Sequence, residues 1–271
     1  MEADAWIKKL KAEFASGGGR FGGKEKACAS TDFDYALKVR AASGDEEARK
    51  ELSDIAERYG LMESAKGKDA AAEYEMGKLC LDFLGKREEG VAWIKSAALH
   101  GSVDASVLLG EIYCGKSEYF SLGETELDFP AAFELLAGAA KKSGKACYYL
   151  AELYGCGNES MGVEKNDAKA YYWYRQAAGK AHKIFRAKAM AEIARYCKSQ
   201  SVFRDLETAF KLYLALYEVG QSGAACELAD CYLRGLGTEK DEEKGLKILL
   251  SAALSGNKRA EEMYEKLKNS P

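Results

Sequence analysis

Ala224-Ala225-Cys226-Glu227-Leu228-Ala229-Asp230-Cys231-Tyr232 decides the fold, because four of its positions return along the chain. The pattern is a small residue, an apolar residue four later, a tiny one five later, and Cys or Tyr eight later. It begins also at Ala72, Ala105, Ala146 and Ala189. The apolar position holds Met76, Leu109, Leu150, Ile193 and Leu228, and the tiny one Gly77, Gly110, Ala151, Ala194 and Ala229. Position eight holds Cys80, Tyr113, Tyr154, Cys197 and Tyr232. Offsets 0, 4, 5 and 8 fall on one face of a helix. The starts lie 33, 41, 43 and 35 residues apart. A self-similar period of this length means stacked supersecondary units, each burying its apolar face against its neighbours.

Between these segments the sequence supplies a second helix per unit. A large apolar residue precedes small ones in Trp93 with Ala97-Ala98, Leu135 with Ala139-Ala140, Trp173 with Ala177-Ala178, and Ile248 with Ala252-Ala253. Small residues let helices approach closely, and the large residue fills the gap. Second helices are expected near 90–99, 130–142, 168–178, 206–219 and 243–254. Asp128, Asp167, Asp205 and Asp241 stand where N-caps belong. Gly101, Gly220 and Gly256 stand where a left-handed residue ends a helix. With only Pro130 and Pro271, long stretches are free to be helical.

The chain resembles the Sel-1-like repeat proteins, a branch of the tetratricopeptide-like α/α solenoids. The last full unit carries the likeness most fully, with Ala224, Leu228-Ala229, Tyr232, Gly235-Leu236-Gly237, Lys240-Asp241, Lys244-Gly245, Ala252-Ala253 and Gly256. The third keeps Leu150-Ala151, Tyr154, Gly155-Cys156-Gly157, Asp167, Trp173 and Ala177-Ala178. The fourth departs most, lacking the Gly-x-Gly loop and the Ala-Ala pair, and the second has a longer loop from Cys114 to Phe129. The resemblance implies an all-α, right-handed superhelical solenoid of helix pairs. Residues 1–24 are expected to hold an amphipathic helix and a Gly-rich linker. Residues 25–68 read as a degenerate N-terminal repeat or cap, and residues 69–268 as the solenoid, with a capping helix at 258–268. In the first helix, Trp6, Ile7, Leu10 and Phe14 share one face. That helix either docks on its own solenoid or serves as a tethered element for a partner or a second copy.

Chemistry is sparse. The 40 basic and 43 acidic side chains give a net charge of −3, which offers no electrostatic reason for nucleic acid or an anionic membrane. No apolar run is long enough to cross a bilayer. The start Met1-Glu2-Ala3-Asp4 lacks the profile of an export signal. A cytoplasmic protein is therefore expected, with a secreted or periplasmic mature form as the alternative. The eight cysteines, Cys28, Cys80, Cys114, Cys147, Cys156, Cys197, Cys226 and Cys231, include no Cys-x-x-Cys pair. They read as reduced core residues, or else as disulfides between repeats. Some secreted relatives pair cysteines across the two helices of a repeat, and here the second helices contain none. His100 and His182 have no recognisable partner, so no metal or cofactor is expected. Asn158-Glu159-Ser160 is a formal glycosylation triplet that arises often by chance.

Two features point to binding. In Tyr171-Tyr172-Trp173-Tyr174, Trp173 matches the core position, so at least one tyrosine must face outward. The second feature is a pair of columns. Six residues after each repeat start stand Lys78, Glu111, Glu152, Arg195 and Asp230; two after stand Tyr74, Val107, Tyr148, Ala191 and Cys226. By resemblance these positions line the concave groove. Charge beside apolar side chains suits a peptide segment, and a solvated helix face is the plainer reading. The groove set is Tyr74, Lys78, Val107, Glu111, Tyr148, Glu152, Arg195 and Asp230. The expected function is a non-catalytic scaffold or adaptor for another protein, its oligomeric state open. The alternatives are a cysteine-dependent hydrolase, or an exported factor acting on a host or envelope partner.

Overall fold

A computed structural model describes residues 2–15, 35–58, 60–116, 127–157 and 163–268. The glycines of 17–23, Cys28, most of the loop after Cys114 and the Asn158 triplet lie outside them. The described residues form fifteen α-helices and no sheet. They divide into two compact units.

The amino-terminal unit comprises residues 21–150 and 157–164. It starts with α2 (Tyr35–Ala42), α3 (Glu46–Arg58) and the short α4 (Leu61–Lys66). Their buried Leu37, Ala41, Ala48, Leu52 and Ala65 share one apolar cluster with Ala72, Met76 and Cys80 of the first clear repeat. That repeat pairs α5 (Ala70–Leu79), prolonged by a π-helical turn over Cys80–Leu84, with α6 (Arg87–Leu99). The next pairs α7 (Val103–Tyr113) with α8 (Phe129–Ala139). α9 (Gly144–Cys156) belongs to this unit through Leu150.

The carboxy-terminal unit comprises residues 151–156 and 165–271, together with residues 1–20. It contains α10 (Asp167–Lys180), α11 (Lys183–Lys198), α12 (Leu206–Glu218), α13 (Ala224–Arg234), α14 (Glu242–Leu254) and the last helix, α15 (Lys258–Lys268). Ala260 of α15 is buried with Cys226 and Ala229 of α13 and Leu249 and Ala252 of α14. The first helix of the chain, α1 (Glu2–Ala15), packs here on α11 and α12.

The tiny position of the repeat is where paired helices touch. A Cβ built on Gly110 would lie 2.8 Å from Leu136 Cγ, and one on Gly77 would lie 2.6 Å from Ile94 Cδ1. At these two glycines a methyl group fits only if the facing side chain shifts. The second helices correct the sequence reading by one residue. Ile94, Leu136, Tyr174 and Leu249 are buried, whereas Trp93, Leu135, Trp173 and Ile248 are half-buried. Each buried residue lies four after a small one (Gly90, Ala132, Ala170, Gly245) and three before another (Ala97, Ala139, Ala177, Ala252). Those three positions share the inward helix face. The aromatic run follows this rule: Tyr174 is buried, Tyr171 stacks on Phe203 at 4.3 Å, and Tyr172 points outward, 53% exposed.

Helix ends follow the local chemistry. Asp128, Asp205 and Asp241 accept from the backbone N–H three residues on, at 3.1, 3.0 and 2.9 Å. At α10 the cap is instead Asn166, bonded to Lys169 N at 2.9 Å, and Asp167 takes the Tyr196 hydroxyl. Gly101, Gly220 and Gly256 adopt φ of 93°, 81° and 88°. The amide after each returns to the carbonyl of Ala97, Leu216 or Ala252, closing the helix. One loop bond repeats as well. The residue before four of the five second helices donates to the carbonyl at position eight of the repeat: Lys86 to Cys80, Asn166 to Tyr154, Asp205 to Cys197 and Asp241 to Tyr232.

Candidate functional site

The columns named from sequence divide between the units. Tyr74, Lys78, Val107, Glu111 and Tyr148 belong to the amino-terminal unit; Glu152, Arg195 and Asp230 belong to the carboxy-terminal one. Val107 and Tyr148 are buried, and Tyr74, Lys78, Glu152 and Asp230 are half-buried. Arg195 is exposed. Glu111 is not the solvated charge its column position implied. It is only 4% exposed and meets the Lys145 ammonium at 2.6 Å.

In the carboxy-terminal unit, α11, α12 and α13 enclose a cleft of about 440 Å³. Ala191, Glu192, Arg195 and Lys198 line it from α11, Tyr213 from α12, and Ala224 and Glu227 from α13. Lys198 is the pivot. Its ammonium meets Glu227 at 2.8 Å and Asp230 at 2.7 Å, and it lies 5.8 Å from the Tyr213 ring centre. Burial alone would lower the Lys198 pKa. The bonds to Asp230 and Glu227 outweigh it and hold the pKa above the ordinary lysine value. Burial likewise pushes Glu227 up, and Lys198 and Arg259 prevail and hold it below the carboxylate range. Arg259 reaches Glu227 at 2.7 Å, and Arg195 pairs with Glu192 at 2.7 Å. The cleft is therefore rigidly charged with both signs. Lys198 was legible in principle: it stands three residues after Arg195, on the same helix face.

His100 and His182 do have neighbours. Glu73, 2% exposed, accepts from Ser96 Oγ at 2.6 Å and meets His100 Nδ1 at 2.7 Å. The serine and the histidine both face the carboxylate and not each other, so the trio lacks the order of a nucleophile-base relay. His182 Nδ1 lies 3.7 Å from Glu13. Four of the thiols are equally unlike nucleophiles. Burial pushes Cys80 and Cys231 up to about 11, and raises Cys197 and Cys226 above the ordinary thiol value. A reactive cysteine needs the opposite shift. Among the described residues no cluster of ligands fits a metal ion, and no helix is long and apolar enough to cross a membrane.

Helix pairs of this length, closed by a left-handed glycine and sealed by small residues, define an α/α repeat protein. The sequence model of the Sel1 repeat matches residues 70–102, 144–182, 187–220 and 222–257, more than half of the chain. The chain belongs to the Sel1 repeat family, whose members are generally protein–protein interaction scaffolds. The match includes the unit at 187–220, which departs most in sequence, and omits the long-looped unit of α7 and α8, which nonetheless forms a helix pair. No curated protein matches the chain. Among solved structures, a Sel1 repeat protein from Oxalobacter formigenes is 27% identical, with a TM-score of 0.61 over 78% of this chain and 86% of that one. A protective antigen of uropathogenic Escherichia coli strains, with an SLR fold, is 21% identical, with a TM-score of 0.64 over 84% of this chain. This chain spans half the length of that antigen.

Proposed function

We propose that this protein is a non-catalytic scaffold that grips a segment of another protein along its first helices, without a cofactor. The observation that carries this reading is the cleft of α11, α12 and α13. Its charges of both signs are fixed by one another, and the largely buried Tyr213 lines it beside them. A segment bearing both acids and bases matches such a surface, and charge pairs fix its register and exclude wrong partners. Of the groove set read from sequence, Tyr74 and Lys78 in the amino-terminal unit and Glu152 and Asp230 in the carboxy-terminal one keep this role, each within its own unit, while the buried Val107, Glu111 and Tyr148 leave it. We place this activity in the cytoplasm, which fractionation of native cells tests directly.

The binding test compares wild type, Arg195→Glu and Tyr172→Ala as baits in the native source. Arg195 is exposed and its replacement leaves the core intact. A partner held by the cleft is lost with Arg195→Glu and kept with Tyr172→Ala. The reverse outcome moves the binding surface away from the first helices.

A further inference from the structure

A multidentate polar contact outside the cleft joins residues 173 positions apart, on α1 and α11. The Glu13 carboxylate collects three donors: Lys183 N–H at 2.9 Å, Arg186 Nη2 at 2.9 Å and Arg186 Nε at 3.2 Å. Arg186 is 3% exposed, and its remaining nitrogen donates to the carbonyls of Ala178 and Gly179. The guanidinium is thus clamped from behind by the backbone and aimed at one acid. His182 supplies no side-chain cap for α11, so Glu13 fills that place from another helix.

The rest of α1 completes a ligand-like pattern. Trp6 and Leu10 are buried in the same contact. Lys9 reaches the Gly179 carbonyl at 3.2 Å, Lys11 pairs with Glu218, and Glu2 pairs with Arg175. Those rim pairs are exposed and contribute little. Trp6, Leu10 and Glu13, at spacings of four and three, share one face and carry the specificity. A cleft of about 350 Å³ continues beside Trp6, lined by Tyr172, Arg175 and Gln176. Nineteen residues, 16–34, separate α1 from α2, and the departure of α1 removes no helix from the repeats. It would uncover the Arg186 guanidinium, still clamped from behind by the Ala178 and Gly179 carbonyls, and strip it of its counter-ion, so a carboxylate is the group the vacated face is set to receive.

We propose that this face of α10, α11 and α12 is a helix-binding site that reads a carboxylate, and that α1 is its built-in ligand. The partner it fits is a protein offering an amphipathic helix with an aromatic residue, an aliphatic one four later and an acid three beyond. Such a helix binds by replacing α1, which competes with it from within the same chain. This site is separate from the first-helix cleft and does not rest on the function proposed there.

The test titrates full-length protein into a labelled peptide of residues 2–15, read by fluorescence anisotropy. Wild type, its site occupied, binds weakly. Glu13→Lys in the chain repels its own α1 and should bind the peptide at least tenfold more tightly. A chain carrying Arg186→Glu alone, whose own Glu13 is then repelled, should reject the wild-type peptide and bind one in which Glu13 is lysine. Glu13→Gln, a milder opening, should fall between wild type and Glu13→Lys, and circular dichroism checks that each variant is folded. The idea is overturned if folded Glu13→Lys and Glu13→Gln chains bind the peptide no better than wild type. It is equally overturned if binding ignores the charge at Arg186.

Discussion

Single residues carry much of this fold. Gly110 has no room for a side chain, because Leu136 occupies the space its Cβ would take. Gly110→Leu should destabilise by about 3 kcal/mol, the upper end for an overpacked site, measured by urea unfolding. An unchanged midpoint would place the α7–α8 contact elsewhere. Glu73 is a second such position. It is buried with two polar partners, and His100→Ala removes one of them. The loss should be about 1–3 kcal/mol, as for a buried polar group left short of a donor. His100→Gln, which keeps a donor, should recover part of that loss in the same assay.

At the scale of elements, α1 is an integral part of the carboxy-terminal unit and not a loose end. Removal of residues 1–24 should lower the thermal midpoint, since Leu10 is fully buried and Arg186 loses its partner. The Glu13 contact also predicts a pH signature. Burial raises the Glu13 pKa, and the hydrogen bond and charge of Arg186 with the Lys183 amide outweigh it, leaving the carboxyl below its usual range. A depressed folded pKa stabilises above the unfolded value, and that gain is lost as pH falls through the folded one. The stability gap between wild type and Glu13→Gln should therefore be full at neutral pH and close below about pH 4. A gap independent of pH would show that the carboxylate's charge is not what holds α1.

For the whole molecule, the charges of the first helices separate into two kinds. Glu111 is buried and paired with the half-exposed Lys145, so Glu111→Lys puts a cation into a buried site with a second cation at its rim. That change should cost about 3–5 kcal/mol, as for a broken buried pair. Arg195→Glu, on an exposed side chain, should stay within about 0.5 kcal/mol of wild type. Thermal unfolding of the two variants side by side checks the contrast. Similar losses in both would mean that Arg195 is as structural as Glu111. The contrast also decides which substitutions are fair probes of partner binding, since only the second leaves the scaffold unaltered.

The sequence determined whatever is local. Spacings of three, four and eight residues set the first helices, because side chains so spaced share a face whatever lies beyond them. The aspartates before α8, α12 and α14, and the glycines after α6, α12 and α14, fixed those helix ends through bonds spanning three to five residues. Recurrence of the pattern fixed the family. Which residue of Trp173-Tyr174 turns inward was decided only by the small residues four before and three after it, and by the helix they meet. The burial of Glu111, the pairing of Glu73 with His100 and the grip of Arg186 on Glu13 were likewise decided by tertiary structure. Each joins residues on different helices, and no periodicity along the chain relates them. A charge at an outward-looking position becomes a buried one only when another helix, placed by packing, brings its counter-ion.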